Sequence, residues 1–373
     1  MQSNQKIVLL DYFLIFTEYT PMNIAVEDFN QTECLPCLKI SELWAMVGDT
    51  PMIALNYNYK GKEGTVYVKC EHYNLTGSIK DRMALYTIQR AYETGNIKAG
   101  DTIVEATSGN TGIAFAAIGR SLGHPVKIIM PNWLSKERVD IIRSLGAEII
   151  LVSKEEGGFL RSIQMAEEMG AADPNVFLPR QFDNHYNLEA HQKTTAPEII
   201  KQLQNINKEV DAFVAGVGTG GTVGGVGRYL KAVKPSIKIH PMEPAESPTL
   251  TTGYKVGSHR IQGISDEFIP SIVKLEEMDE IIQVNDGDAI LMAQKLATTL
   301  GLAVGISSGA NLIAAIKQQQ KMGGEATVVT VFADSNKKYL STDLVKEEPI
   351  KEGYISPDVS LVDFKPIPRT KKS

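Results

Sequence analysis

Short apolar runs of strand length and longer stretches with helical spacing alternate along most of this chain, and three of the strand-to-helix junctions are rich in Gly, Ser, Thr and Asn. Residues 65–70 (Thr-Val-Tyr-Val-Lys-Cys) alternate like a strand, and 102–106, 126–130 and 148–152 are short apolar runs. Between them, 80–94, 112–122 and 135–145 read as helices; Met83, Ala84, Ile88 and Ala91 share one face of the first. The rhythm returns with strands at 211–215, 237–242 and 326–332 and helices at 222–233, 286–300 and 309–320. Parallel strands need a crossover between them, so this order predicts an α/β chain with parallel-rich sheets flanked by helices. Ligands of such sheets bind beyond the carboxyl ends of the strands, where the polar turns lie.

Length and composition narrow the class. A chain of 373 residues with 43% apolar and 22% charged residues is a globular protein of about two domains. The net charge of −6 argues against nucleic acid as a partner, because phosphate binding needs clustered Lys and Arg. Three cysteines, Cys34, Cys37 and Cys70, are too few for a disulfide framework, so a cytoplasmic location is expected. No apolar run reaches the roughly 20 residues that span a bilayer. The apolar stretch from Ile7 to Phe16 is interrupted by Asp11 and lacks a small-residue cleavage pattern; it reads as a docking or buried segment, with translation from Met22 as a second possibility.

Four segments carry chemistry. In Asn74-Leu-Thr-Gly-Ser-Ile-Lys80, a lysine sits where a helix should begin. A helix N-terminus favours anions, so a lysine there suits an amine whose charge is suppressed or consumed. Thr107-Ser-Gly-Asn-Thr-Gly112 follows a strand and opens a helix, which suits a carboxylate or phosphate. Gly216-Val-Gly-Thr-Gly-Gly-Thr222 repeats that arrangement with room for a phosphate dianion. Gly305-Ile-Ser307-Ser308-Gly-Ala310 is a weaker fourth instance.

The third segment also satisfies G-x-G-x-x-G through Gly216, Gly218 and Gly221, with Glu243 where a dinucleotide fold places its ribose-binding acid. An NAD-dependent oxidoreductase is therefore a competing reading, although it leaves Lys80 and the 107–112 turn without a task. A catalytically silent binding protein is a third.

Together these segments resemble the cysteine synthase and cystathionine β-synthase family of pyridoxal-phosphate enzymes, from about Ile40 to Leu344. The resemblance rests on Val47-Gly-Asp-Thr-Pro51, residues 77–82, 107–112, Arg180-Gln-Phe182, residues 191–198, 216–222, Met242-Glu-Pro244, Gln262-Gly263, 305–310 and Lys338-Tyr-Leu-Ser-Thr342. It implies the two-domain tryptophan-synthase-β-like fold (fold type II). The implied organisation is a large cofactor domain of 38–84 plus 188–345 and a small mobile domain of 85–187; residues 1–37, which show no clear period, read as an extension, and 346–373, with Pro349, Pro357, Pro366 and Pro368 among Lys and Glu, as a tail or an arm over a neighbouring subunit. It implies pyridoxal 5'-phosphate as cofactor, with Lys80 as the Schiff-base lysine that also moves the Cα proton. Asn110 is similar to the residue at the ring hydroxyl, Ser307 (less readily Ser308) to the partner of the pyridine nitrogen, and Gly218, Thr219, Gly220, Gly221 and Thr222 to the phosphate cup. Thr107, Ser108, Thr111, Gln181 and Gly263 resemble the substrate site, with the 107–112 loop closing on the substrate. A small amino-acid substrate, a homodimer and, as in some cysteine synthases, a serine acetyltransferase partner are further implications. The expected chemistry is loss of a β-substituent to give aminoacrylate, then attack by a nucleophile.

The chain departs from the family at Gln262-Gly-Ile-Ser-Asp266-Glu267-Phe268, where small neutral residues are usual. A carboxylate there would repel hydrosulfide and could activate water. This resembles the branch that makes serine and hydrogen sulfide from cysteine and water, with Asp266 acting on water; cysteine synthesis from O-acetylserine, or cystathionine synthesis, is the opposite reading.

The lone Cys34-Leu-Pro-Cys37 pair lacks the four ligands of a zinc site, and no His precedes His72 to suggest haem, so neither metal nor haem is expected. Cys70, Trp44 and Trp133 read as packing residues, and His191 as structural.

Overall fold

The computed structural model describes residues 35–265 and 267–369. The segment Ile7 to Phe16, Met22 and Cys34 lie outside them. From Lys39 onward the chain packs as one compact unit.

The described strands are β1 (Met52–Tyr59), β2 (Lys62–Cys70), β3 (Thr102–Ala106), β4 (Val126–Pro131), β5 (Glu148–Val152), β6 (Val176–Phe177), β7 (Ala212–Gly216), β8 (Lys238–Pro244), β9 (Ile282–Val284), β10 (Val328–Phe332) and β11 (Val359–Ile367). They form a seven-stranded sheet, β11-β1-β2-β10-β7-β8-β9, and a four-stranded sheet, β5-β4-β3-β6. The small sheet is parallel throughout. The large sheet is parallel from β2 through β9 and antiparallel at the β2-β1-β11 edge.

β10 explains why the large sheet needs helices on both faces. Each of its residues is buried. Val328 and Phe332 join the core beneath the helices Asp286–Leu300 and Ile306–Lys321, while Val329 and Val331 join the core beneath Ala196–Gln204 and Gly221–Val233. A strand covered on both sides reads as a continuous apolar run, which is why its sequence does not alternate. Fully burying each such side chain is worth about 1.5–3 kcal/mol. The helices Lys80–Glu93 and Asn110–Ser121 pack together against β3 and β4 through Met83, Ala84, Ile88, Ile113 and Ile118.

Among the differences from the reading of the sequence, two have a clear physical reason. The segment after Leu344, expected as a tail or an arm over a neighbouring subunit, contains β11, which pairs with β1 of its own chain. Val359 and Leu361 point into the core, and Pro366, which has no N–H, is tolerated because β11 is an edge strand. The helix expected from Gly309 begins at Ile306. Its glycine reads as a turn but serves packing: a Cβ on Gly309 would stand 2.3 Å from the Ala289 carbonyl oxygen, so the two long helices meet only if position 309 has no side chain.

Candidate active site

Four helices begin at one cavity. Lys80 starts Lys80–Glu93, Asn110 starts Asn110–Ser121, the turn before Gly221 starts Gly221–Val233, and Ser307 stands in the first turn of Ile306–Lys321. The cavity is lined by Lys80, Ser108, Asn110, Thr111, Gln181, Gly218, Thr219, Gly220, Thr222, Gly263 and Ser307, among others. These are residues from widely separated parts of the chain. First-turn N–H groups have no helical acceptor, so the cavity is favourable to anions.

The glycine turn is drawn in tightly. A Cβ would stand 2.4 Å from the Gly263 carbonyl oxygen at Gly218, 2.2 Å from Val273 Cγ2 at Gly220, and 1.9 Å from Asn187 Oδ1 at Gly221. Gly220 also has φ +85°, which a side chain would strain. Gly221 itself does not line the cavity; it sits behind the turn against Asn187. Asn187, buried, donates from Nδ2 to Thr219 Oγ1 and to the Gln181 carbonyl, both at 2.8 Å. Beneath lies His191, whose ring nitrogens meet Thr195 Oγ1 at 2.9 Å and Thr222 Oγ1 at 3.3 Å. Burial pushes this imidazole down to about 3, so it stays neutral, in keeping with a structural role.

Two residues beyond Lys80 the same helix carries a buried ionic network centred on Arg82. Arg82 is fully buried and donates to both Glu71 oxygens (Nε at 2.6 Å, Nη2 at 2.9 Å) and to both Glu198 oxygens (Nη1 at 2.6 Å, Nη2 at 2.7 Å). Lys69 Nζ pairs with Glu198 Oε2 at 2.6 Å. Burial alone would raise Glu198, but Arg82 and Lys69 pull it down to about 2. Two cations and two carboxylates thus balance. Asp81, between Lys80 and Arg82, accepts from Thr76 N at 2.6 Å and is pushed up to about 6 by burial.

Asn110 is held at both ends of its amide. Nδ2 donates to Asp334 Oδ2 at 2.6 Å, and Oδ1 accepts from Lys338 Nζ at 2.8 Å. Burial lowers the Lys338 ammonium, and Asp334 opposes that shift. The Tyr339 hydroxyl also donates to Asp334 Oδ2. The two candidate serines separate. Ser307 lines the cavity, whereas the Ser308 hydroxyl accepts from Ala333 N at 3.0 Å.

The 107–111 turn splits similarly. Ser108 and Thr111 line the cavity, while the buried Thr107 hydroxyl accepts from Gly109 N at 2.9 Å. Thr111 Oγ1 donates to Gln181 Oε1 at 2.6 Å, and Gln181 Nε2 donates to the Ala106 carbonyl at 2.7 Å. Burial pushes Glu105 up to about 8, against the backbone of Gln181, Ala106 and Arg180.

The family described as "Pyridoxal-phosphate dependent enzyme" matches residues 43–334. The chain belongs to that family. It is 43% identical over 299 residues to a probable cysteine synthase of Bacillus subtilis, covering 80% of this chain and 96% of that protein. It is 57% identical to a hydrogen sulfide-producing enzyme of Fusobacterium nucleatum, covering 88% of this chain and 98% of that one, with a TM-score of 0.86. An aspartate-to-asparagine variant of that enzyme, in complex with an α-aminoacrylate intermediate, is matched at 56% identity and a TM-score of 0.88, covering 89% of this chain and all of that one. A cysteine synthase of Entamoeba histolytica is 36% identical, covering 85% of this chain and 94% of that one, with a TM-score of 0.76. Within the pyridoxal-phosphate dependent enzymes the chain thus groups with the cysteine synthases and their relatives, and its fold is type II.

The cavity fits the family's cofactor. A turn kept free of side chains at a helix N-terminus suits a phosphate ester, and an amine, an amide and a hydroxyl lie on the same cavity at Lys80, Asn110 and Ser307. The dinucleotide reading is overturned by the family and by Glu243. That carboxylate is buried and committed: Oε2 accepts from Leu250 N at 2.7 Å, and Oε1 from Thr251 Oγ1 at 2.5 Å, so it closes the turn 249–252.

Of the two unusual acids, Glu267 pairs with Lys255 at 2.7 Å and lines an outer groove of about 790 Å³ that continues from the cavity through Ser108, Gln262, Gly263 and Ile264. Asp266 lies outside the described residues. Among the described cysteines, Cys70 is buried, and burial pushes its thiol up to about 12, which suits the core role expected of it. Among the described residues no helix is long and apolar enough to cross a membrane. Asn187, Arg138, Asp334 and Glu105 were not singled out in the sequence. Arg138 reads there as an ordinary polar residue of the helix 135–145, and nothing local marks it or Asn187.

Proposed function

We propose that this enzyme converts L-cysteine and water into L-serine and hydrogen sulfide. The chain's membership supports a pyridoxal-phosphate dependent β-elimination or β-replacement on an amino acid. The finer reading is carried by one observation: two carboxylates enter the segment 262–268, whose Gln262, Gly263 and Ile264 line the cavity. The similarity to a hydrogen sulfide-producing enzyme supports it, as does the α-aminoacrylate complex of an aspartate-to-asparagine variant of that enzyme.

Pyridoxal phosphate, when bound, supplies the electron sink that makes the Cα–H bond of an amino acid acidic. In this reading the turn 218–222 binds the phosphate ester, Asn110 and Ser307 orient the ring, and Lys80 Nζ carries the Cα proton. Ser108, Thr111 and Gln181 hold the substrate carboxylate. The C–S bond breaks and sulfur leaves as hydrosulfide; a C–O bond forms to water, whose proton passes to Asp266. Glu267, committed to Lys255, is assigned no part in the chemistry. Closure of the 85–187 region over the site, a homodimer and a serine acetyltransferase partner belong to the same proposal.

The cysteine synthase relatives favour a second reading, cysteine from O-acetylserine and sulfide. Product analysis separates the two. Incubation with L-cysteine alone is expected to yield serine and sulfide in equal amounts, and Asp266→Asn to suppress serine. Rapid cysteine formation from O-acetylserine and sulfide, with no serine from cysteine, would establish the second reading instead.

A further inference from the structure

Arg138 is a buried cation on the wall of the cavity with an incomplete set of partners. It belongs to the helix Lys136–Ser144 and is 1% exposed. Nε donates to Ser135 Oγ at 2.8 Å, and Nη1 donates to the Ser108 carbonyl at 2.8 Å. Nη2 is buried and has no hydrogen-bond partner among the described residues. The guanidinium lies 5.1 Å from the centroid of the Tyr339 ring, and among the described residues it forms no ion pair. Its contrast with Arg82 is plain: that equally buried guanidinium is met by two carboxylates.

An unbalanced charge in a buried site is costly, and one that lines a ligand cavity can be offset by the ligand. Arg138 is pressed against the 107–111 turn. A Cβ at Gly109, where φ is +143°, would stand 2.3 Å from Arg138 Cδ. The same cavity wall carries Ser108, Asn110, Thr111 and Gln181. Ser135, which holds Nε, donates in turn to the Lys338 carbonyl at 2.7 Å, so the guanidinium is fixed from two separate parts of the chain.

We propose that Arg138 is a positioning residue for the substrate α-carboxylate: it ties down the Ser108 carbonyl of the 107–111 turn and carries the positive charge that the incoming carboxylate offsets. Charges separated by a few ångströms in a low-dielectric site interact strongly without direct contact. This rests on pyridoxal phosphate occupying the cavity but not on which nucleophile attacks afterwards.

The test compares L-serine with ethanolamine, the same amine without the carboxylate, by titrating the visible absorbance of the holoenzyme. Arg138→Met is expected to weaken L-serine by about tenfold or more, some 1.4 kcal/mol, while changing ethanolamine by less than about twofold. Arg138→Lys, which keeps the charge and loses the planar fork, is expected to fall between. An equal loss for both ligands would show a purely structural role and overturn the proposal, as would no loss for either. Should the Met variant fail to fold, Arg138→Gln provides the same neutral comparison. If wild-type enzyme binds L-serine with this discrimination yet releases no sulfide from cysteine, the reaction proposed above fails and the role of Arg138 stands.

Discussion

Asn187 Oδ1 occupies the space that a side chain at Gly221 would need, 1.9 Å from an ideal Cβ. The same amide holds Thr219 and Gln181, so one buried side chain joins the glycine turn to the segment carrying Gln181. Gly221→Ala must therefore push the turn and Asn187 apart. Overpacking of this kind costs about 1–3 kcal/mol, and we expect roughly ten- to a hundredfold weaker retention of pyridoxal phosphate. Cofactor content after dialysis, read from visible absorbance, checks this.

Glu198 accepts from Arg82 and Lys69 together, and removing one partner of a buried ionic network leaves charge behind. Glu198→Ala should cost about 3–5 kcal/mol of stability. Urea unfolding of the purified variant measures it; a loss below about 1 kcal/mol would mean that the network is solvated like a surface pair.

Ser307 and Ser308 should behave oppositely. Ser308 holds Ala333 N, so Ser308→Ala is expected to lose about 1 kcal/mol of stability with an unchanged visible spectrum. Ser307 lines the cavity, so Ser307→Ala is expected to shift the absorbance maximum while leaving the unfolding midpoint in place. Absorbance and denaturation curves on the same two variants decide between them.

The stability contributed by two buried carboxyls should fall as pH rises across the neutral range. Burial raises Glu105 to about 8 and Asp81 to about 6, above the values both have when unfolded. A carboxyl raised on folding binds its proton more tightly in the native state. Its contribution is therefore complete at a pH below its unfolded value and is lost as pH climbs through the folded value. Glu105→Gln should flatten the dependence of the melting temperature between about pH 5 and 8. An unchanged slope would show that Glu105 ionises in the folded protein as it does in water.

Much of the architecture was legible because its signals are local. The apolar runs of β3, β4 and β10 and the polar turns at 107–112 and 216–222 each announce an element from a few adjacent residues. Where a residue's meaning depends on distant partners, the reading failed. Gly309 resembled a turn and is a helix–helix contact. The segment 346–373 reads as a tail or an arm, yet its Pro366 sits in an edge strand, and only the sheet order reveals that place for a residue without an N–H. Glu243 had dinucleotide spacing, yet its oxygens are spent on Leu250 and Thr251.

What the sequence determined by itself was the repeated strand-turn-helix grammar and the chemical identity of the turns, since backbone geometry at a glycine or a helix start depends on neighbours in the chain. Only the tertiary structure decided which hydroxyls turn toward the cavity, that Ser308 and Thr107 turn away, and that Arg138 is buried with no counter-ion among the described residues. Orientation and charge balance are properties of a shared enclosure, and that enclosure exists only once the two sheets have brought residues 80, 108, 138, 181, 218 and 307 to the same wall.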